Sequence, residues 1–304
     1  VNKVLIAQEV ADALTAGKSV VALESTIITH GLPRPKNLEV GLEIEETVRN
    51  KGAIPATIAM LDGDIHVGLT AAAFEQIAMR EDSVKASIRD LAILGARHAF
   101  AGTTVAATSQ IAVQVGIRVF ATGGLGGVHR NARDNWDESA DLYALAKLPI
   151  AIVCAGVKSI LDVGATLERL ETLGVGVVGY RTNSFPGFYL TDSGFTLEHR
   201  VEDAQEIAQV MRAQDAFNTA GAALVIANPL APEQAMNSEL HAKLLAGGLA
   251  AADSAHITGK DVTPFLLEYF HRESNGESLR ANIEIILANA TLASEIAVEF
   301  ASGR

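Results

Sequence analysis

The sequence predicts one large α/β domain over residues 1–304, with a mostly parallel central sheet flanked by helices on both faces. Three observations predict it. Short runs rich in Val and Ile alternate with longer amphipathic runs along the chain. Several short runs lack polar alternation, as strands buried on both faces do. The chain is 49% hydrophobic and rich in Ala and Gly, which supplies a large core and lets helices approach a sheet closely.

The elements follow in order. Residues 4–16 carry a helical pattern, and 19–23 read as a strand. In 37–51, Leu38, Val40, Leu42 and Ile44 alternate like a strand, while Val40, Ile44 and Val48 form a helical stripe. Length and Glu/Lys content favour a helix there. Strands are expected at 56–61, 65–68, 84–87, 118–122, 150–155, 175–180 and 222–227. Helices are expected at 71–79, 104–116, 139–145, 159–173, 204–216, 232–252, 264–272 and 279–301. Thr263 as N-cap and Pro264 in the first turn give 264–272 a clear start. The last helix places Asn282, Ile286, Asn289 and Ala293 on one face, and two asparagines are unusual in a packing stripe. Residues 187–194 read as a loop. No repeat, heptad run or linker interrupts the chain.

Composition excludes several classes. With 24 basic and 36 acidic residues the net charge is −12, which disfavours non-specific binding to nucleic acid or anionic membranes. Aromatic content of 5% disfavours base-stacking single-strand binders. No apolar run reaches the roughly 18 residues of a membrane span, and no signal peptide pattern is present. One cysteine, Cys154, allows no internal disulfide and suits a reducing cytoplasm. Val1 in place of methionine implies a processed, trimmed or renumbered start.

In such a sheet, ligands bind beyond the carboxyl ends of the strands. Glu24, Thr122, Lys158 and Asn228 each stand at or just past such an end. Glu24 follows Val20-Val21-Ala22-Leu23, and a carboxyl group desolvated among apolar neighbours can serve as a general acid. The bland alternative is a carboxylate that ties down the loop before Pro33 and Pro35. Lys158 follows Cys154-Ala155-Gly156-Val157, and a desolvated lysine can form an imine with a carbonyl. Read as the first turn of helix 159–173, it would oppose the helix dipole, an unfavourable place for a purely structural lysine.

Gly123, Gly124, Gly126 and Gly127 resemble phosphate-cradling loops in composition, but fit neither the dinucleotide nor the Walker spacing. A tight turn explains them equally well. His129 and Arg130 beside them meet a ligand or cap loops. Asp137 and Asp141, with Glu138 and Ser139 between, suit a hard cation that keeps its waters, or a helix N-terminus complementing its dipole. Lys85 and Arg89 are candidate anion contacts.

Together these segments resemble the pseudouridine-5′-phosphate glycosidase family, also called the indigoidine synthase A-like family. The matching stretches are residues 22–35, 52–59, 102–108, 119–130, 137–142, 153–162, 227–229 and 289–297. They span nearly the whole chain in order, and are specific only in combination. The resemblance implies reversible cleavage of pseudouridine 5′-phosphate to uracil and ribose 5-phosphate through a lysine imine, an activity of the carbon–oxygen lyase class. It implies Lys158 as nucleophile, Glu24 as proton donor and Asp137 as metal ligand. It places Ser139, Ala140, Asp141 and, on a looser local match, Lys85 at the substrate. Thr122, His129, Asn289 and the backbone of Val105 are expected to line the pocket. The implied cofactor is one Mn²⁺ per subunit, mostly water-coordinated, and the implied assembly a homotrimer with no nucleic-acid or membrane partner.

The chemistry is consistent with that. The leaving base departs through carbon, so protonating a leaving oxygen, as ordinary glycosidases do, is less useful. An imine with the opened sugar offers another route. A lysine-dependent aldolase or lyase acting on another sugar phosphate shares that lysine but not the need for uracil. A non-catalytic sugar-phosphate-binding protein is the remaining alternative. Residues 130–136 contain a tryptophan and extra charge where the family varies, and 180–199 match only loosely and receive no role.

Overall fold

A computed structural model describes residues 2–219, 221–258 and 262–303; Val1 and Arg304, the ends of the expected domain, lie outside the described residues. In chain order the elements are β1 (Val4–Ile6), α1 (Gln8–Thr15), β2 (Val20–Leu23), α2 (Lys36–Asn50), β3 (Ile54–Leu61), β4 (Asp64–Val67), α3 (Ala71–Met79), β5 (Val84–Ala86), α4 (Leu91–Ala96), β6 (Ala101–Thr103), α5 (Val105–Gln114) and β7 (Val119–Ala121). Then come α6 (Ala132–Asn135), α7 (Ala140–Leu145), β8 (Ala151–Cys154), α8 (Val163–Thr172), β9 (Gly176–Tyr180), β10 (Arg200–Val201), α9 (Ala204–Ala216), β11 (Leu224–Ala227), α10 (Ser238–Ser254), α11 (Val262–Glu273) and α12 (Glu277–Ser302).

The main path of the sheet runs β1-β4-β3-β2-β7-β8-β11-β9-β10. From β3 through β2 to β10 every pairing is parallel. The long β3 divides the sheet. Its first half pairs β2, and its second half pairs β4 and β6 antiparallel. Period-2 alternation then builds two cores from single strands. Val20, Ala22, Ile152 and Val225 face α1, α5, α7 and α8, whereas Val21, Leu23, Val153 and Ile226 face α2, α9 and α12. A third cluster joins α10 and α11 to Phe185, Phe188 and Tyr189 over the carboxyl edge.

Several expectations need correction. Residues 4–16 are not one helix: Val4–Ile6 pair with β4, and α1 starts at Gln8. Helix α8 starts at Val163, where Asp162 accepts from the Ala165 N–H at 3.0 Å. Lys158 therefore sits in a preceding turn, outside any helix dipole. Helix α10 starts at Ser238, capped by Asn237, six residues after the expected start at Pro232. Thr263 lies inside α11, which already begins at Val262. The short β1, β6 and β10 carry too few residues to declare a period.

Candidate active site

Beyond the carboxyl ends of β2, β7 and β8 lie two adjoining cavities. Glu24, Thr26, Lys85, Lys158 and Thr263 line both. With the solvent at their mouths they enclose about 510 and 990 Å³. The larger is the more polar of the two: Ser87, Arg89, Thr104, Val105, Gly126, His129, Asp137, Glu138, Ser139, Ala140, Asp141 and Leu161 complete its wall. The smaller is flanked by Ile27, His30, Gly123, Gly124, Phe188, Pro264, Leu267 and Asn282. Thus the acid and the lysine, far apart in sequence, share the boundary between a polar chamber and a more apolar one.

Local bonding explains each position. Glu24, 7% exposed, accepts from the Thr122 hydroxyl on Oε1 and the Thr26 hydroxyl on Oε2. Lys158 leaves β8 through a short ladder. The N–H of Ala155 donates to the Gly123 carbonyl, that of Leu125 to Gly156, and that of Lys158 to Leu125, at 2.9, 2.9 and 3.0 Å. The Arg130 guanidinium donates to the carbonyls of Ser159 and Ile160, both at 3.2 Å, bracing the turn that follows Lys158.

The glycine run is a close-packing device. A Cβ on Gly126 would collide with Ser139 and Asp141, and one on Gly124 with Phe188. The Gly126 N–H donates to Asp141 Oδ2 at 2.8 Å, while Asp141 Oδ1 accepts from the Ala106 N–H at 3.0 Å. Asp141, 5% exposed, thereby clamps the glycine loop to the start of α5. Ser139 caps α7 by accepting from the Asp141 N–H at 3.2 Å.

Asp137 Oδ2 stands 3.7 Å from His129 Nδ1. Burial holds His129 below the usual histidine range; Asp137 opposes this, and the Lys85 charge adds to it. His30 is lowered by burial and by the charges of Lys85 and Arg34. Cys154, fully buried in β8, is pushed up to about 12 by desolvation and offers no thiolate at neutral pH. Among the described residues no three His, Cys, Asp or Glu side chains converge on a metal position. A single half-buried carboxylate facing a polar cavity fits only a cation that keeps most of its waters.

Thr122 and Asn289 stand behind the cavities, at 0% and 1% exposure, and line neither. Asn282, two helical turns before Asn289 in α12, lines the smaller chamber instead. The sequence placed both on one face, and the family resemblance chose Asn289 for the pocket wall; the wall is formed by Asn282. His30 and Phe188 were also missed. Phe188 comes from the unassigned 180–199 segment, with φ of +65° and its N–H donating to the Ala155 carbonyl at 3.0 Å. A left-handed backbone at a bulky residue is rare and has no sequence signal of its own.

The fold is that of an α/β enzyme, with its candidate site at the carboxyl edge of a parallel sheet. The chain belongs to the indigoidine synthase A-like family, whose model matches residues 9–299. It is 58% identical over 294 residues to a pseudouridine-5′-phosphate glycosidase of Salinispora tropica, covering 97% of this chain and 91% of that one. A Frankia alni protein of the same name is 53% identical, with 99% and 83% covered. Among solved structures, the prealnumycin C-glycosynthase AlnA in complex with ribulose 5-phosphate superposes with a TM-score of 0.90 at 34% identity, covering 99% of this chain and 97% of that one. An indigoidine synthase A-like protein of Thermotoga maritima gives 0.89 at 35%, with the same coverage. No helix among the described residues is long and apolar enough to cross a membrane.

Proposed function

We propose that this protein cleaves the C-glycosidic bond of pseudouridine 5′-phosphate reversibly, giving uracil and ribose 5-phosphate. The observation that carries the reading is the bipartite cavity with Glu24 and Lys158 at its waist. The substrate has the same polarity: an anionic sugar phosphate joined to a flat base. The phosphate end takes the polar chamber, near Lys85, Arg89 and the N–H of Val105 at the start of α5. The base takes the chamber walled by Phe188, Leu267 and Asn282. The scissile bond then lies between the acid and the amine.

In this mechanism the C1′–O4′ bond breaks as the neutral Lys158 amine bonds to C1′, and O4′ leaves as a hydroxyl with the proton that the amine loses. Glu24 delivers a proton to C5 of the base. The C1′–C5 pair restores the C5=C6 double bond of uracil as the nitrogen lone pair forms C1′=N. Water then hydrolyses the imine, freeing ribose 5-phosphate and the amine. Asp137 would hold a water-coordinated Mn²⁺, which when bound supplies positive charge that organises the anionic substrate. Ser139, Ala140 and His129 contribute to the sugar-phosphate side. We take the working molecule to be a cytoplasmic homotrimer, on the family resemblance. Incubation with pseudouridine 5′-phosphate and Mn²⁺ tests the reading. Release of equal amounts of uracil and ribose 5-phosphate supports it, and an inert substrate alongside cleavage of a different sugar phosphate rejects it.

A further inference from the structure

We propose that Asn228, which has no role above, is a positioning residue for Glu24 that acts through Asn289 and Thr122. The inference rests on Glu24 being the proton donor of the proposed reaction. Asn228 follows the last residue of β11, three strands from β2, whose end Glu24 follows. Its Nδ2 donates to Asn289 Oδ1 at 2.9 Å. Asn289 Nδ2 donates in turn to the Thr122 carbonyl at 2.8 Å and the Gly123 carbonyl at 3.4 Å. The Thr122 hydroxyl then holds Glu24 Oε1. The chain of bonds crosses the sheet under α12 and ends on the reacting carboxyl.

The direction of each bond matters. A primary amide has a donor end and an acceptor end, and Asn289 offers its donor end to two carbonyls. Reversed, it would press Oδ1 against carbonyl oxygens in a site where only 1% of its surface meets solvent. The two carbonyls disfavour that flip, and the Asn228 donor reinforces the productive orientation by holding Oδ1 from the other side. Asn289 therefore serves the site from behind, fixing the turn that carries Thr122.

The test compares Asn228→Ala, Asn228→Leu and Asn228→Asp. Leucine keeps the branched outline of asparagine with more bulk and cannot donate. Aspartate matches it in shape but turns an acceptor toward Asn289 Oδ1. Positioning predicts kcat lowered about tenfold in the alanine and leucine variants and further in the aspartate variant, with KM within about twofold of the wild type. A packing role predicts another ranking, with aspartate near wild type, alanine impaired by lost volume and leucine by added bulk. The ¹³C carboxyl resonance of Glu24 in glutamate-labelled protein, assigned with Glu24→Gln, reads the same link without substrate. Displacement in all folded Asn228 variants supports the relay. An unmoved resonance, or a packing-type ranking, overturns it. Wild-type protein inert toward pseudouridine 5′-phosphate defeats the substrate reading alone, and the resonance then decides the relay.

Discussion

Each oxygen of the Glu24 carboxyl group is met by a threonine hydroxyl, from Thr26 and from Thr122. That pair fixes the carboxyl plane between the two chambers. Thr122→Val keeps the shape and removes one donor, so kcat should fall about tenfold, consistent with one hydrogen bond to an ionisable group. Thr122→Ser should retain most activity, and steady-state kinetics on the two variants checks this. Asp137 is the proposed metal ligand. Its single carboxylate predicts that Asp137→Asn weakens Mn²⁺ binding at least about tenfold, read by electron paramagnetic resonance of free Mn²⁺ without any turnover. Unchanged affinity would move the metal elsewhere.

At the scale of elements, α11 walls the smaller chamber, and an aromatic cluster ties α11 to α10. The Tyr189 ring stacks on Phe270 with centroids 5.7 Å apart, and His241 of α10 lies 5.6 Å from Phe270. Burial, with a smaller contribution from Arg130, lowers His241 from 6.5 to about 4. The unfolded chain therefore takes up a proton between those values that the folded chain refuses, so stability falls as pH drops from 6.5 toward 4. His241→Phe should flatten that part of the melting-temperature profile, and an unchanged slope would place the acid sensitivity elsewhere. Local pattern gave α3 and α9 to the residue, since their stripes and caps are self-contained. It failed at α8, because the turn after Lys158 is set by bonds to Leu125 and Arg130 from distant sequence.

At the scale of the whole molecule, strand order brings Glu24 and Lys158 together. β7 separates β2 from β8, and the carboxyl ends of all three open on the same cavities. The parallel rule made that convergence legible from the sequence, and the family motifs named the residues. What it could not supply was depth. Asn282 and Asn289 share a stripe, but only packing against the Gly123 turn decides which reaches the cavity. The expected homotrimer predicts a sedimenting mass three times the 31.9 kDa of one chain, and a monomer at working concentration would contradict it.

In the proposed reaction the Lys158 amine carries the sugar while Glu24 moves the proton. Borohydride reduction during turnover of pseudouridine 5′-phosphate, followed by peptide mass mapping, tests it most directly. A reduced ribose 5-phosphate adduct is expected on Lys158, absent in Lys158→Ala and still formed from ribose 5-phosphate in Glu24→Gln. Full turnover by Lys158→Ala, or an adduct on another lysine, would contradict it.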